Sequence, residues 1–214
     1  VSGRWRAVFL DRDGTLVRPR HYPSRPDELQ IYPGIPAELR LLQNAGFRLV
    51  LITNQSGIAR GLFSPEDLDR MHASLGKRLA DEGVTLAGIY FCPHHPDGVV
   101  PGLARHCGCR KPEPGMLLQA ASDLSLDLDI SWLIGDILDD VEAGNRVGCR
   151  TVLVDLGTES KSMVNDRRPE FVARDTLHGL RLIRFCEGLG PQTELQYQPS
   201  RWSQREVPVG AAGG

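Results

Sequence analysis

The chain has 214 residues, a formal net charge of −2 and a hydrophobic fraction of 41%. That length suits one compact domain with room for a long loop or tail, and the nearly balanced charge argues against a nucleic-acid coat or a basic membrane surface. No run reaches the roughly 18 apolar residues of a transmembrane helix, and no signal-peptide h-region opens the chain. The expectation is a cytoplasmic monomer without nucleic-acid or membrane partners.

In chain order, residues 6–11 (RAVFLD) form a short apolar run that ends in a carboxylate. Residues 47–54 (FRLVLITN), 88–92 (GIYFC), 131–136 (SWLIGD) and 150–156 (RTVLVDL) repeat that form. Near-continuous apolar runs of this kind suit strands buried on both faces of a parallel sheet. Helical patterns alternate with them. Ile35, Leu39 and Leu42 recur at helical spacing before Gly46. Ser64, Pro65, Glu66 and Asp67 make a helix start, with a Ser cap, Pro at the first position and acids in the first turn. Leu68, Met71, Leu75 and Leu79 then form an apolar stripe that reads as core. Pro114 opens a third helix through Leu117, Ala120 and Leu124. Val141–Val147 gives a fourth and Leu177–Cys186 a fifth. Strands alternating with helices predict an α/β fold with a doubly wound, Rossmann-like parallel sheet over residues 1–187. From residue 188 to 214 the chain is rich in Gly, Pro, Gln and Ser without periodicity, which reads as a flexible tail.

In doubly wound sheets ligands bind at the carboxyl ends of the strands. Asp11, Thr53, Asn54 and Asp136 fall there. Asp11 and Asp13 form a D-x-D, in which one carboxylate can act as nucleophile and the other can give and take a proton. Grouped carboxylates call for a cation, and Mg²⁺ prefers oxygen ligands and phosphate partners. Thr53 and Asn54 are neutral donors. The glycines of NQSGIARG allow close backbone approach to a phosphate, and Lys111 supplies a point charge for it. Asp139 and Asp140 carry two readings, support for the metal or Lys111, or solvated acids at a helix start.

Three of the five cysteines are crowded between residues 92 and 109. Cys92, His94, Cys107 and Cys109 follow a C-x-H, C-x-C spacing, and three thiolates with one imidazole saturate a tetrahedral Zn²⁺. A closed site has no position for a reacting water, so the zinc is expected to be structural, pinning a loop over 92–109. His95 and His106 read as neighbours of that site. Cys149 and Cys186 read as buried thiols.

The segments DRDGTL, TNQSG, RKP and GDILDD resemble the four ordered motifs of the haloacid dehalogenase superfamily, in its phosphatase branch. The resemblance spans about residues 6–156. It implies Asp11 as the nucleophile that forms an aspartyl-phosphate, and Asp13 as general acid and then base. It implies Mg²⁺ on Asp11, the Asp13 main-chain carbonyl and Asp136, with Thr53 and Lys111 stabilising the transferring phosphoryl group. CPHHPDG, CGCRKPEPGML and TNQSGIARG are further similar to the zinc-loop family of D-glycero-D-manno-heptose 1,7-bisphosphate 7-phosphatases. That likeness implies no large cap domain and a sugar phosphate held by Thr53, Asn54, Gln55, Ser56, Arg110 and Lys111. Arg110 would grip the phosphate that is not hydrolysed. The related histidinol-phosphate phosphatases typically read T-N-Q-D-G, and Ser56 stands here in place of that Asp. Ile137 departs from the family, which often has a basic residue there. Arg18, Arg20, His21 and Tyr22 carry two readings, a substrate-facing flap or a solvated basic loop. Beside the heptose enzyme stand two other readings, a histidinol-phosphate or broader sugar-phosphate phosphatase and an inactive zinc-loop binding module.

Overall fold

The computed structural model of the protein describes residues 4–162 and 164–190. The expected tail lies, beyond residue 190, outside the described residues. The elements follow in the order β1 (Ala7–Leu10), α1 (Ile35–Asn44), β2 (Arg48–Asn54), α2 (Pro65–Asp81), β3 (Leu86–Cys92), α3 (Gly115–Leu124), β4 (Trp132–Gly135), α4 (Leu138–Asn145), β5 (Arg150–Val154), β6 (Phe171–Ala173) and α5 (Thr176–Cys186). The strands make one six-stranded parallel sheet in the order β3-β2-β1-β4-β5-β6. This is the doubly wound, Rossmann-like order.

Side chains alternate along each strand, so β1 feeds two cores. Val8 and Leu10 pack with Leu49, Leu51 and Ile134 against α1, α2 and α5, through residues such as Leu39, Met71 and Leu180. Ala7 and Phe9 pack with Val50, Ile52 and Leu133 against Leu117 and Ala120 of α3 and Ala143 of α4. The α2 stripe of Leu68, Met71, Leu75 and Leu79 is core, as its spacing requires. Ser64 and Asp67 close a reciprocal capping box at its start.

Some boundaries move. The fourth helix begins at Leu138 rather than Val141, because the Asp140 carboxylate accepts from the Ile137 amide at 3.3 Å and caps the first turn. The edge strand β6 is too short to carry a sequence pattern. The longest connections that leave the carboxyl ends of the strands are residues 11–34 and 93–114, and no large cap domain is present among the described residues. No described helix is long and apolar enough to cross a membrane.

Candidate active site

The strand order converts four distant segments into one site. β1 lies between β2 and β4, at the switch point where connections diverge to opposite sides. Asp11, just past β1, donates its amide to the Ile134 carbonyl of β4 at 3.0 Å. Asp136 follows β4, Thr53 and Asn54 end β2, and the segment after the cysteine-rich loop adds Lys111.

Lys111 is buried and its ammonium is shared. It lies 2.6 Å from Asp11 Oδ1 and 2.5 Å from Asp140 Oδ1, and it donates to the Ile52 carbonyl at 3.2 Å. Its main chain is bracketed by one side chain. Asn54 Oδ1 accepts from the Lys111 amide at 3.0 Å while Asn54 Nδ2 donates to its carbonyl at 3.1 Å. Oxygens of Asp11, Asp136 and Asp140 lie within 4.8 Å of one another. Burial pushes the Asp11 carboxyl up to about 7, with Asp140 and Asp13 adding repulsion against the pull of Lys111. Burial, then Asp11 and Asp140, push Asp136 up to about 8. One lysine does not balance three such acids, and an all-oxygen cluster fits a hard divalent cation such as Mg²⁺.

Two glycines permit this crowding. Gly14 has φ +87°, and a Cβ there would stand 2.2 Å from Asp136 Oδ2. A Cβ on Gly135 would stand 2.2 Å from Asp140 Oδ2. The paired acids of GDILDD are thus different groups. Asp140 belongs to the cluster, whereas Asp139 is half-exposed and pairs with Arg167 at 2.8 Å.

The Asp13 carboxylate is not among the three clustered acids. Its Oδ2 accepts from Arg12 Nε at 3.0 Å, Arg12 Nη2 at 2.7 Å and Gln55 Nε2 at 3.0 Å. Gln55 Nε2 also reaches Thr53 Oγ1 at 2.8 Å, and Gln55 Oε1 accepts from Arg12 Nη2 at 3.0 Å. Ser56 is buried beside them. Gly57 has no room for a side chain, since a Cβ would stand 2.1 Å from the Phe63 ring. The burial of Arg12 was not legible in the motifs. Of the two readings that GDILDD left open, contact with Lys111 applies to Asp140 and the helix-start acid to Asp139.

The cysteine cluster assembles as its spacing predicts. Cys92 ends β3, and its Sγ lies 3.5 Å from Cys107 Sγ, 3.2 Å from Cys109 Sγ and 3.6 Å from His94 Nδ1. Cys109 Sγ lies 3.3 Å from both Cys107 Sγ and His94 Nδ1. These are near the edges of a tetrahedron drawn around one zinc with bonds of about 2.0–2.3 Å. All five cysteines are free. Burial, then the Cys109 contact, raises the Cys92 thiol, so without a cation the group holds its proton, and a bound cation would displace it. Burial and the Arg105 charge depress His94, keeping a neutral imidazole available. His95 and His106 stay outside this group. Cys149 is buried, whereas Cys186 is only half-buried at the end of α5, short of the burial its sequence reading gave it.

Arg110 is half-buried, donates to the His94 carbonyl at 3.4 Å and makes no ion pair among the described residues. Arg18, Arg20 and His21 are exposed, and Tyr22 is half-buried with φ +48°.

Comparison with known proteins gives the family of the chain. The family model described as HAD-hydrolase-like matches residues 108–178. Over 151 residues the chain is 47% identical to the D-glycero-beta-D-manno-heptose-1,7-bisphosphate 7-phosphatase of Yersinia pestis, covering 68% of this chain and 80% of that one. It is 43% identical to the enzyme of the same name from Escherichia coli K12, with 68% and 79% covered. The crystal structure of D,D-heptose 1,7-bisphosphate phosphatase from B. bronchiseptica, complexed with magnesium and phosphate, superposes with a TM-score of 0.70 at 32% identity, covering 83% of this chain and 97% of that one. The class is therefore that of the haloacid dehalogenase-like hydrolases without a large cap. Within it, the chain belongs to the family of heptose bisphosphate 7-phosphatases.

Proposed function

We propose that this protein removes the 7-phosphate of D-glycero-D-manno-heptose 1,7-bisphosphate through an aspartyl-phosphate on Asp11. The observation that carries the reading is the buried Asp11, Lys111, Asp140 and Asp136 group at the switch point of the sheet, in a chain whose curated relatives bear that activity in their names. Asp11 and Asp136 would hold Mg²⁺, and Asp13 would add its main-chain carbonyl because its carboxylate is engaged elsewhere. Bound there, the ion would neutralise charge on the phosphoryl oxygens.

The residues of the chain do the rest. An Asp11 oxygen attacks phosphorus in line, and the bond from phosphorus to the sugar oxygen breaks. That oxygen keeps the electron pair and takes a proton from Asp13. Water then gives a proton to Asp13 and attacks the aspartyl-phosphate, releasing inorganic phosphate and restoring the Asp11 carboxylate. Thr53 and Lys111 donate to the phosphoryl oxygens, and Asn54 fixes the Lys111 main chain. Gln55 and Ser56 line the site. Cys92, His94, Cys107 and Cys109 would hold a structural zinc. This clasp places Arg110, whose guanidinium is without an acidic partner among the described residues, for the phosphate that stays on the sugar.

The test is Asp11→Asn together with a substrate panel. The variant should fold, keep its zinc and lose turnover; retained turnover would refute the nucleophile. On the wild type, kcat/KM for the heptose bisphosphate, with both anomers assayed, should exceed that for fructose bisphosphate and histidinol phosphate. An order that puts another substrate first would replace the substrate and keep the chemistry.

A further inference from the structure

Arg12 stands between the two aspartates of the D-x-D, and it has no exposed surface at all. Burying a guanidinium is costly unless it is paired and hydrogen-bonded. Consecutive residues of a strand point to opposite faces, but the chain leaves the strand here. The Arg12 carbonyl accepts from both the Leu16 and Val17 amides, and Gly14 donates to the Val17 carbonyl. This tight turn curls Asp13 back onto its own neighbour. The guanidinium then meets Asp13 and Gln55 on one side, and on the other His72 Nε2 of α2 at 3.5 Å. His72 is buried, and burial together with the Arg12 charge lowers it to about 4. A neutral ring can accept that contact without adding a second positive charge.

The pattern on Asp13 is one-sided. Oδ2 receives three N–H donors, two from Arg12 and one from Gln55. Oδ1 is buried too and has no hydrogen-bond partner among the described residues, although the Asp13 side chain as a whole is only half-buried. An oxygen that accepts three donors has no lone pair left for a proton. We propose that Arg12, with Gln55 as its brace, is the positioning residue of the proton-transfer group, fixing Asp13 by Oδ2 so that Oδ1 alone exchanges the proton. In the first step Oδ1 gives its proton to the departing sugar oxygen, and in the second it takes one from the attacking water. The same brace ties the Thr53 hydroxyl to the Asp13 carboxylate through Gln55 Nε2, so both groups share one register. The proposal rests on the reading of Asp13 as the general acid.

Leaving-group dependence separates positioning from simple structural support. From p-nitrophenyl phosphate the p-nitrophenolate departs as a stable anion and needs no proton, whereas a sugar alkoxide does. Phosphoenzyme formation would be followed by rapid mixing with p-nitrophenyl phosphate and with heptose bisphosphate, in the wild type, Arg12→Lys, Gln55→Glu and Asp13→Asn. Gln55→Glu keeps the acceptor for Arg12 and removes the donor to Asp13 Oδ2. General acid catalysis contributes about 10²- to 10⁴-fold. Arg12→Lys should therefore slow the sugar reaction about tenfold or more and leave the p-nitrophenyl burst within about threefold, whereas Gln55→Glu, at a residue that also lines the site and donates to Thr53, should slow both bursts and the sugar burst about tenfold more. Equal falls with both substrates, or no fall, would overturn the proposal. Should Arg12→Lys fail to fold, as judged by circular dichroism, the near-isosteric Gln55→Glu decides by the same two outcomes. Asp13→Asn is the control for the underlying reading. If it shows no split between substrates, the general-acid assignment falls and the role of Arg12 with it.

Discussion

Asp140→Asn tests the electrostatics of the site most directly, because the charge it removes both attracts and repels. Asp140 lies 2.5 Å from the Lys111 ammonium. At an effective dielectric constant of about 20, that contact amounts to roughly 7 kcal/mol of attraction. The same carboxylate stands within 4.8 Å of oxygens on Asp11 and Asp136. With all three ionised, each of those pairs repels by at least about 3.5 kcal/mol on the same scale, or about 7 or more together. The two effects nearly cancel in the metal-free protein. What remains is the lost cap on the Ile137 amide, about 1 kcal/mol. Metal-free Asp140→Asn should therefore melt within a few degrees of the wild type at pH 9, where the cluster is ionised. Its Mg²⁺ requirement should rise about 10- to 100-fold, as expected for a group that orients metal ligands, and kcat should fall with it. Asp139→Asn removes only a half-exposed pair with Arg167, worth less than about 1 kcal/mol, and should leave both readouts alone. Thermal melts and turnover over a Mg²⁺ titration check this. A loss of more than ten degrees in the metal-free variant, or an unchanged Mg²⁺ requirement, would refute the cancellation.

The pH dependence of stability has a definite sign. In the folded, metal-free protein Asp11 titrates at about 7 and Asp136 at about 8, both above the ordinary 3.8. The folded state thus holds protons that the unfolded chain releases, and these groups lower stability as pH rises from about 4 through about 8. Melts at pH 5 and 8.5 should show a fall in Tm that shrinks in Asp136→Asn and is reversed by Mg²⁺. At a hundredfold excess over Kd the ion adds about 2.7 kcal/mol; a Tm that climbs with pH would contradict the raised values. Gly14→Ala must accommodate a Cβ 2.2 Å from Asp136 Oδ2 at φ +87°, and the left-handed backbone alone costs about 1–2 kcal/mol. It should lose turnover more than about 100-fold, and wild-type kinetics in a folded Gly14→Ala would rule out the crowding argument. Metal analysis should find about one zinc per chain, falling in Cys107→Ser. That variant should lose discrimination between sugar phosphates before it loses p-nitrophenyl phosphate hydrolysis, and equal losses would mean that the clasp does more than place Arg110.

Much of the fold was readable because its central strands are buried on both faces. Runs such as VFL and LVLIT have little choice but to be strands of a covered parallel sheet. β6 escaped notice because three residues at a sheet edge carry no period. The motifs located Asp11, Thr53, Lys111 and Asp136, and the cysteine spacing located the clasp, because those chemistries impose residue types at fixed intervals. They did not reveal Arg12, since an arginine after a strand-end aspartate looks like any solvated turn residue. Only the turn stabilised through Gly14, and the approach of α2 bearing His72, bury it. Asp139 and Asp140 could not be told apart by position either, because a helix rotates adjacent residues by about 100°. One therefore meets Lys111 and the other meets Arg167.

The bracket that Asn54 places around the Lys111 main chain means that the loop from Cys92 to Lys111 is anchored twice at its closing end, by the thiol cluster and by the tip of β2. Residues 95–106 span the rest of the loop and are tied to the segment after β2, where the Ala59 carbonyl accepts from the Val99 and Val100 amides at 2.7 and 2.9 Å. A different loop grafted between His94 and Cys107 would have to rebuild that contact, while the two anchors would still hold the lysine where the chemistry needs it.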